Sequence, residues 1–360
     1  MATSSKSVLS FYTNESDQDS NEQVVEGYFS TPHTKAWLRL DEDLESAEYK
    51  SKTYHAYLTK LDRLIAKEPD YLDAYNNAGS AFLEVSAKQE FPERIININL
   101  AQEYYSRAFE RANVLIPTDF SGYIRWGSFD NRPFLRSHHG LILCHLRKKE
   151  YAVAAQMIED HLAWNPDDNI GVRYLLGDTY LVSGDIVNAR RAFAVGMTEG
   201  MLSFPDNAYS LGLLEFRDGN YVAAATALRT GFLGNMYIAE ILTGRAVEKP
   251  HFFWHSNSWA SVDAAKSYLF EQDMLSHWKT TPQAVDFVDW LYNSATVLRE
   301  RLECAEIREG LTYEHNFTAR GKYCNRDEIL KKNIAKVTML IRKITNRSGE
   351  KCWPWEYSQR

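Results

Sequence analysis

The side chains most able to do chemistry lie in a few places along the chain. His138, His139 and His145 fall close together with Cys144 among them, and imidazole with thiolate is a donor set that zinc accepts. On a helix, however, positions 138 and 145 share a face while 139 and 144 point elsewhere, and no paired-cysteine spacing accompanies them. Core or groove histidines are therefore the expectation. His251 and His255 are spaced as a ligand pair on a helix would be, but Pro250 and the aromatics around them argue against a helix there. With Glu303, they are the residues an enzyme reading would use. Asp41-Glu42-Asp43 has the charge of a divalent-ion site and, more simply, of a solvated helix start. A dinucleotide-binding Gly-x-Gly-x-x-Gly after a strand, a phosphate loop ending in Gly-Lys-Ser/Thr, a Gly-x-Ser-x-Gly elbow and a His-Glu-x-x-His pair are all missing. No catalytic residue, metal ligand or cofactor is assigned.

What remains is surface chemistry. Pro117 to Pro133 breaks the helical periodicity with Phe120, Tyr123, Trp126 and Phe129 interleaved among Arg125, Asp130 and Arg132. Loops of this length are often functional. Rigid rings beside guanidinium forks could form a binding lip, with Tyr123, Arg125, Trp126 and Arg132 as its contacts. The alternative is packing, with Asp130 paired to Arg132 or Arg136.

The elements that would position such surfaces repeat. Leu175, Leu176, Gly177 and Tyr180 fall at helical spacing, Gly184-Asp185 breaks the helix, and Ala189 and Phe193 fall four apart on a second one. A further copy has Leu211, Gly212, a break at Asp218-Gly219-Asn220, then Ala224 and Leu228. Gly177 to Gly212 is a step of 35 residues, and the same step backwards lands on Ile142. That earlier unit holds His138, Leu141, Ile142, a polar break at Arg147 to Glu150, then Ala154, Ile158 and Pro166. A helix pair of this kind cannot bury its own apolar faces and must stack on neighbours.

The pattern Leu176, Gly177, Tyr180, Ala189, Phe193 resembles the tetratricopeptide repeat. Asp130 to Asn169, with Asn131-Arg132-Pro133-Phe134-Leu135 leading in and Tyr237 to Arg245 following the repeats, also resembles an uncharacterised group of bacterial tetratricopeptide proteins. The resemblance spans roughly residues 128 to 292 and brings no established activity. It implies an all-α fold: a right-handed α-solenoid of tetratricopeptide-like helix hairpins with irregular C-terminal capping helices. First helices then line a concave face through Arg136, His139 and Leu143, then Tyr174, Asp178 and Leu181, then Asp206, Tyr209, Leu213 and Phe216. A trough of Tyr, Phe and Leu edged by Arg and Asp suits a peptide or partner helix. The C-terminal helices or the 117–133 loop would compete for it. Asn76, Ser80, Gly140 and Leu143 replace the basic pattern with which some relatives grip a terminal carboxylate, which disfavours that kind of receptor.

Around this core the chain divides as follows. Residues 1–33 form a polar tail and 34–116 N-terminal helices with a degenerate repeat carrying an insertion near Phe91-Pro92. The loop at 117–133 leads into three repeats at 134–235, followed by a helical extension at 236–305 and a linker at 306–324. Residues 325–346 form a basic amphipathic helix with a capping box at Asn325 and Glu328, and 347–360 a tail. Trp353-Pro354-Trp355 would clamp that helix or stand exposed. The basic helix would fold back, self-associate, or meet an anionic surface.

A net charge of −7 and 44% apolar residues describe an ordinary soluble protein and disfavour general nucleic-acid binding. No run is apolar enough for a membrane span. Four scattered cysteines make a reducing cytoplasm the default. The expectation is a non-catalytic protein–protein interaction scaffold or adaptor, with an enzyme or an RNA-associated repeat protein as alternatives.

Overall fold

The computed structural model describes residues 9–16, 24–30, 39, 42–46, 48, 52–90, 92–198, 204–245, 247 and 261–357, which are mostly helical. Asp41, His251, His255 and the aromatic run from Pro250 to Trp259 lie outside the described residues. The chain divides into two compact units, residues 1–175 and 176–360. Each is taken by itself.

The first unit opens with two antiparallel strands, β1 (Ser10–Ser16) and β2 (Val24–Ser30), where a polar tail was expected. An isolated two-stranded hairpin is marginal in water, so its order has to come from what it lies on. Leu9 and Phe29 are buried, and the Phe11 ring meets Phe29 at 5.1 Å and Phe120 at 5.3 Å. On the opposite face Tyr12 and Tyr28, direct cross-strand partners, stack at 5.5 Å.

Beyond a helical stretch at 42–46 come α1 (Tyr54–Lys67), α2 (Leu72–Ser86), α3 (Glu93–Asn113), α4 (Arg132–Arg147) and α5 (Tyr151–Trp164). Thr53 caps α1 by accepting from the Ala56 amide at 3.2 Å. The insertion near Pro92 falls between α2 and α3, and part of it extends α3, which runs for 21 residues; Phe91 lies outside the described residues. Phe134 on α4 collects Phe29 at 5.0 Å, Phe109 at 5.2 Å and Trp164 at 5.5 Å. Each ring of that size contributes on the order of 2–3 kcal/mol through burial. Beyond α5, the Asp168 carboxylate accepts from the amides of Gly171, Val172 and Arg173 at 3.0, 2.9 and 2.9 Å and so starts α6 (Arg173–Ser183).

The second unit takes up α6 beyond Leu175 and continues with α7 (Ile186–Thr198), α8 (Pro205–Arg217), α9 (Tyr221–Gly234) and α10 (Met236–Leu242). Their breaks fall where the spacing predicts. The paired glycines have a common physical cause: a Cβ at Gly177 would lie 2.5 Å from the Phe193 ring, and one at Gly212 would lie 2.6 Å from Leu228. In each pair the second helix lays an apolar side chain against the first where no Cβ can stand.

The remaining elements depart from expectation in detail. The single helix predicted from Val262 to Trp278 is α11 (Val262–Lys266), a π turn at Ser267–Glu271 and α12 (Met274–Thr280), separated by Asp273 in the left-handed region at φ 63°. The stripe from Ala284 to Leu302 is likewise two helices, α13 (Ala284–Tyr292) and α14 (Ala295–Tyr313), because Ser294 caps the second by accepting from the Val297 amide at 3.4 Å. The expected linker 306–324 and basic helix 325–346 are also corrected: α15 spans Phe317–Lys336. Asn316, rather than Asn325, caps it, accepting from the Ala319 amide at 3.0 Å. It ends where the Val337 carbonyl accepts from the Arg229 guanidinium at 2.7 Å, which draws the chain out of helical register. Leu330 and Ile334 are buried while Val337 is exposed. A strap outside any helix or sheet then leads to the short hairpin β3 (Ile344–Thr345) and β4 (Lys351–Cys352) and the terminal turn α16 (Pro354–Tyr357). No helix among the described residues is long and apolar enough to cross a membrane.

Candidate functional site

The 117–133 loop is mainly a pedestal for the N-terminal hairpin. Tyr123 donates its amide to Val25 O at 2.9 Å and accepts from the Gly27 amide at 2.7 Å, forming a parallel bridge beside β2. Buried Asn131 accepts from the Phe29 amide at 2.9 Å and donates to the Gly27 and Arg125 carbonyls at 3.1 and 3.0 Å. Arg125, expected at a binding lip, pairs with Glu26 at 2.9 Å and Asp167 at 2.8 Å and lies over the Tyr123 ring. Trp126 is half-buried between Arg132 and Arg136, whose guanidinium carbons stand 5.2 and 5.4 Å from its ring centre. Arg136 also pairs with Asp73 at 2.9 Å. Phe129 stays open to solvent, with Arg132 above it at 4.0 Å.

Within the histidine set, His138 meets His161 of α5 rather than its sequence neighbours. His138 and His161 are both buried, with their rings stacked and their Nδ1 atoms 3.3 Å apart. Burial pulls both well below the usual imidazole pKa, and the neighbouring histidines add to this. His139 is half-buried, and burial lowers it to about 4. Among the described residues no group of three or more His, Cys, Asp or Glu side chains is placed to hold a metal.

In the second unit most of the predicted concave positions are core, Asp206 being half-buried. Tyr209 and Leu213 have no exposed surface, and Phe216 and Asp178 are 7% exposed. The Tyr209 hydroxyl donates to Asn235 O at 3.0 Å and accepts from the Ala239 amide at 3.1 Å. Phe216 packs on Phe287 at 5.0 Å and on Trp355 at 6.2 Å. Ser210 and the Trp278 indole both meet the Tyr268 hydroxyl, at 3.1 and 3.3 Å. Burial pushes the Asp178 carboxyl up to about 7, with a Ser210 hydrogen bond pulling it down and Asp206 pushing it up. The competing occupants foreseen for this face, the C-terminal helices, therefore cover it within this unit, and Tyr209, Leu213, Phe216 and Asp178 are not available to a partner. Tyr174, at the end of the first unit, is half-buried.

An open concavity lies elsewhere, on the outward face of α9. It has a volume of about 780 Å³ and a mostly apolar lining. Its floor is Val222, Ala223, Thr226 and Thr230, which share one face of α9. Leu211 and Glu215 of α8 form one side, and Ala335, Thr338, Ile341 and Trp353 form the other. Glu215 is held by Arg190 at 2.8 Å. The far wall is fixed by two anchors. Arg229, 1% exposed, makes a bidentate pair with Glu300 and holds Val337. Trp353 and Trp355 stack 5.2 Å apart, and Trp355, fully buried, meets Phe287 at 4.7 Å, Tyr221 at 4.9 Å and Trp290 at 5.4 Å. A volume of this size with an apolar lining and few polar groups is typical of ligand and peptide sites. Sequence reasoning did not find it. The available signal was Arg229, a charge inside the apolar run Ala227-Leu228-Arg229-Thr230-Gly231-Phe232, where only a buried partner could keep it. No protein-family model matches the chain, and neither a curated protein nor a solved structure matches it.

Proposed function

We propose that this protein is a non-catalytic interaction scaffold of the tetratricopeptide type, and that it docks a partner polypeptide in the trough on α9. The equivalent close approaches at Gly177 and Gly212, 35 residues apart in sequence, support the repeat reading. The observation that carries the function is the open apolar trough of about 780 Å³. An exposed concave apolar surface costs solubility unless something uses it. The docking surface differs from the one the repeat register implies, because that register's inward residues are spent on the unit's own C-terminal helices.

A photo-crosslinking residue at Thr226 tests this. It should capture a discrete partner in native extract, while the same probe at exposed Val187 on α7 should not. Ala223→Trp, an exposed position that would fill the trough, should abolish capture without lowering the melting temperature. Equal capture from both positions, or capture that survives Ala223→Trp, would remove the proposal.

A further inference from the structure

We infer that the occupant of this trough is an extended peptide of acidic character, which pairs edge-on with the strap from Thr338 to Lys343 and lays its apolar side chains on α9. The inference rests on the docking function proposed above and adds the partner's conformation and charge.

The strap carries the first half of the argument. It belongs to no helix or sheet, it leaves α15 through Val337, which is extended and whose carbonyl Arg229 holds at 2.7 Å, and it re-enters regular pairing at Ile344 opposite Cys352. Between those anchors no described residue supplies a backbone hydrogen bond to Thr338–Lys343. Leu340 is 75% exposed. A backbone anchored at both ends, with donors and acceptors unpaired among the described residues, is a template for strand addition. At about 3.3 Å per residue, a peptide of about six residues would match it.

Charge carries the second half. Lys336, Arg342, Lys343, Arg347 and Lys351 lie along the strap and its hairpin, and none forms an ion pair with a described carboxylate. Lys343 instead stands 5.4 Å from the centre of the Trp353 ring. The one acidic residue of the hairpin, Glu350, accepts from Asn346 at 3.3 Å. This local excess of cations, in a chain whose net charge is −7, complements an acidic partner and would steer its approach. The apolar floor requires that the partner's other side chains be aliphatic or aromatic.

The test uses the full chain and two fluorescein-labelled octapeptides, one alternating Val with Glu and the other alternating Val with Lys, followed by anisotropy at low and moderate salt. The Glu peptide should bind, weaken about tenfold in Arg342→Glu/Lys343→Glu, and weaken with salt. Ala223→Trp should abolish binding. Leu340→Pro should weaken it where Leu340→Ala does not, since only proline removes a backbone donor. Failure of the Glu peptide to bind, equal binding of both peptides, or indifference to the charge reversal would overturn the inference. If the Lys peptide binds and Ala223→Trp blocks it, the trough still docks peptides and only the partner's charge is wrong. If Ala223→Trp changes no binding, the docking function fails as well.

Discussion

The two units bury different titrating groups, imidazoles in the first and mostly carboxyls in the second. In residues 1–175 the buried polar side chains include Asn131, the stacked pair His138 and His161, kept neutral by burial, and Asp168, whose carboxylate three backbone amides and Arg173 hold. In residues 176–360 they include Asp178, Glu240 and the pair Arg229–Glu300. A neutral amide or imidazole can be buried at the cost of its hydrogen bonds alone, whereas an ion must bring its counter-ion with it. Asp168 apart, the first unit should therefore tolerate single polar losses better than the second.

The largest effect should come from Arg229→Ala. It leaves Glu300 without its partner and frees the start of the strap, and losing one member of a buried pair costs roughly 3–5 kcal/mol. Chemical denaturation followed by tryptophan fluorescence should show the loss, and hydrogen exchange should place it in residues 176–360. An effect below about 1 kcal/mol would erase the contrast. Trp355→Ala should cost about 3 kcal/mol, because it empties a site bounded by Phe216, Tyr221, Phe287 and Trp290. It should also raise protease sensitivity along the strap. Asn131→Ala should cost about 2 kcal/mol by stranding the Phe29 amide and two carbonyls. Exchange should then rise in β1 and β2 while α1 to α3 stay protected.

The pH responses should run in opposite directions. Below about pH 6.5 the unfolded chain binds protons on His138 and His161 that the folded unit refuses, so the first unit loses stability as pH falls. Folded Asp178 keeps its proton up to about 7, while its unfolded carboxyl releases it near 3.8. That contribution is thus present at low pH and lost as pH rises through 7. Hydrogen exchange at about pH 5.5 and pH 8, corrected for intrinsic rates, should show protection shifting from the second unit to the first. Asp178→Asn should weaken the second unit's dependence, leaving the part due to Asp206, which burial also pushes up to about 7, and stabilise the unit by about 1–2 kcal/mol at high pH. Parallel responses in both units would refute the contrast. The smallest effect is expected for Arg136→Ala, under about 1 kcal/mol, since its pair with Asp73 is partly open to solvent.

Helix breaks governed by local chemistry were legible in the sequence. The turns at Gly184-Asp185 and Asp218 to Asn220 fall between helices as the spacing implied. The strands of the N-terminal hairpin were not, although Val24, Glu26 and Tyr28 alternate with Val25, Gly27 and Phe29, because the polar composition around them hides partners about a hundred positions away. The register of α8 correctly placed Tyr209, Leu213 and Phe216 on one face, but a one-dimensional pattern cannot say whether that face meets solvent or other helices of the same unit. Tyr, Phe and Leu are equally suited to a core and to a docking surface. For the same reason Tyr123, Arg125 and Trp126 read as a lip when they support a strand. The α9 trough depends on the path of the strap after Val337, which long-range contacts to Arg229 and Trp355 decide.

The Asn131 side chain ties the Phe29 amide to a turn 102 residues later in the chain. During synthesis β1 and β2 are made well before the support that orders them, and closing so long a loop is slow. In that interval Phe11 and Phe29 face water on a young chain with unpaired strand edges, the state in which nascent proteins most readily misassociate. Holding the first thirty residues apart from other chains until α5 has emerged is thus a burden of this architecture, to be met by chaperones or by the solubility of the polar segment between the strands.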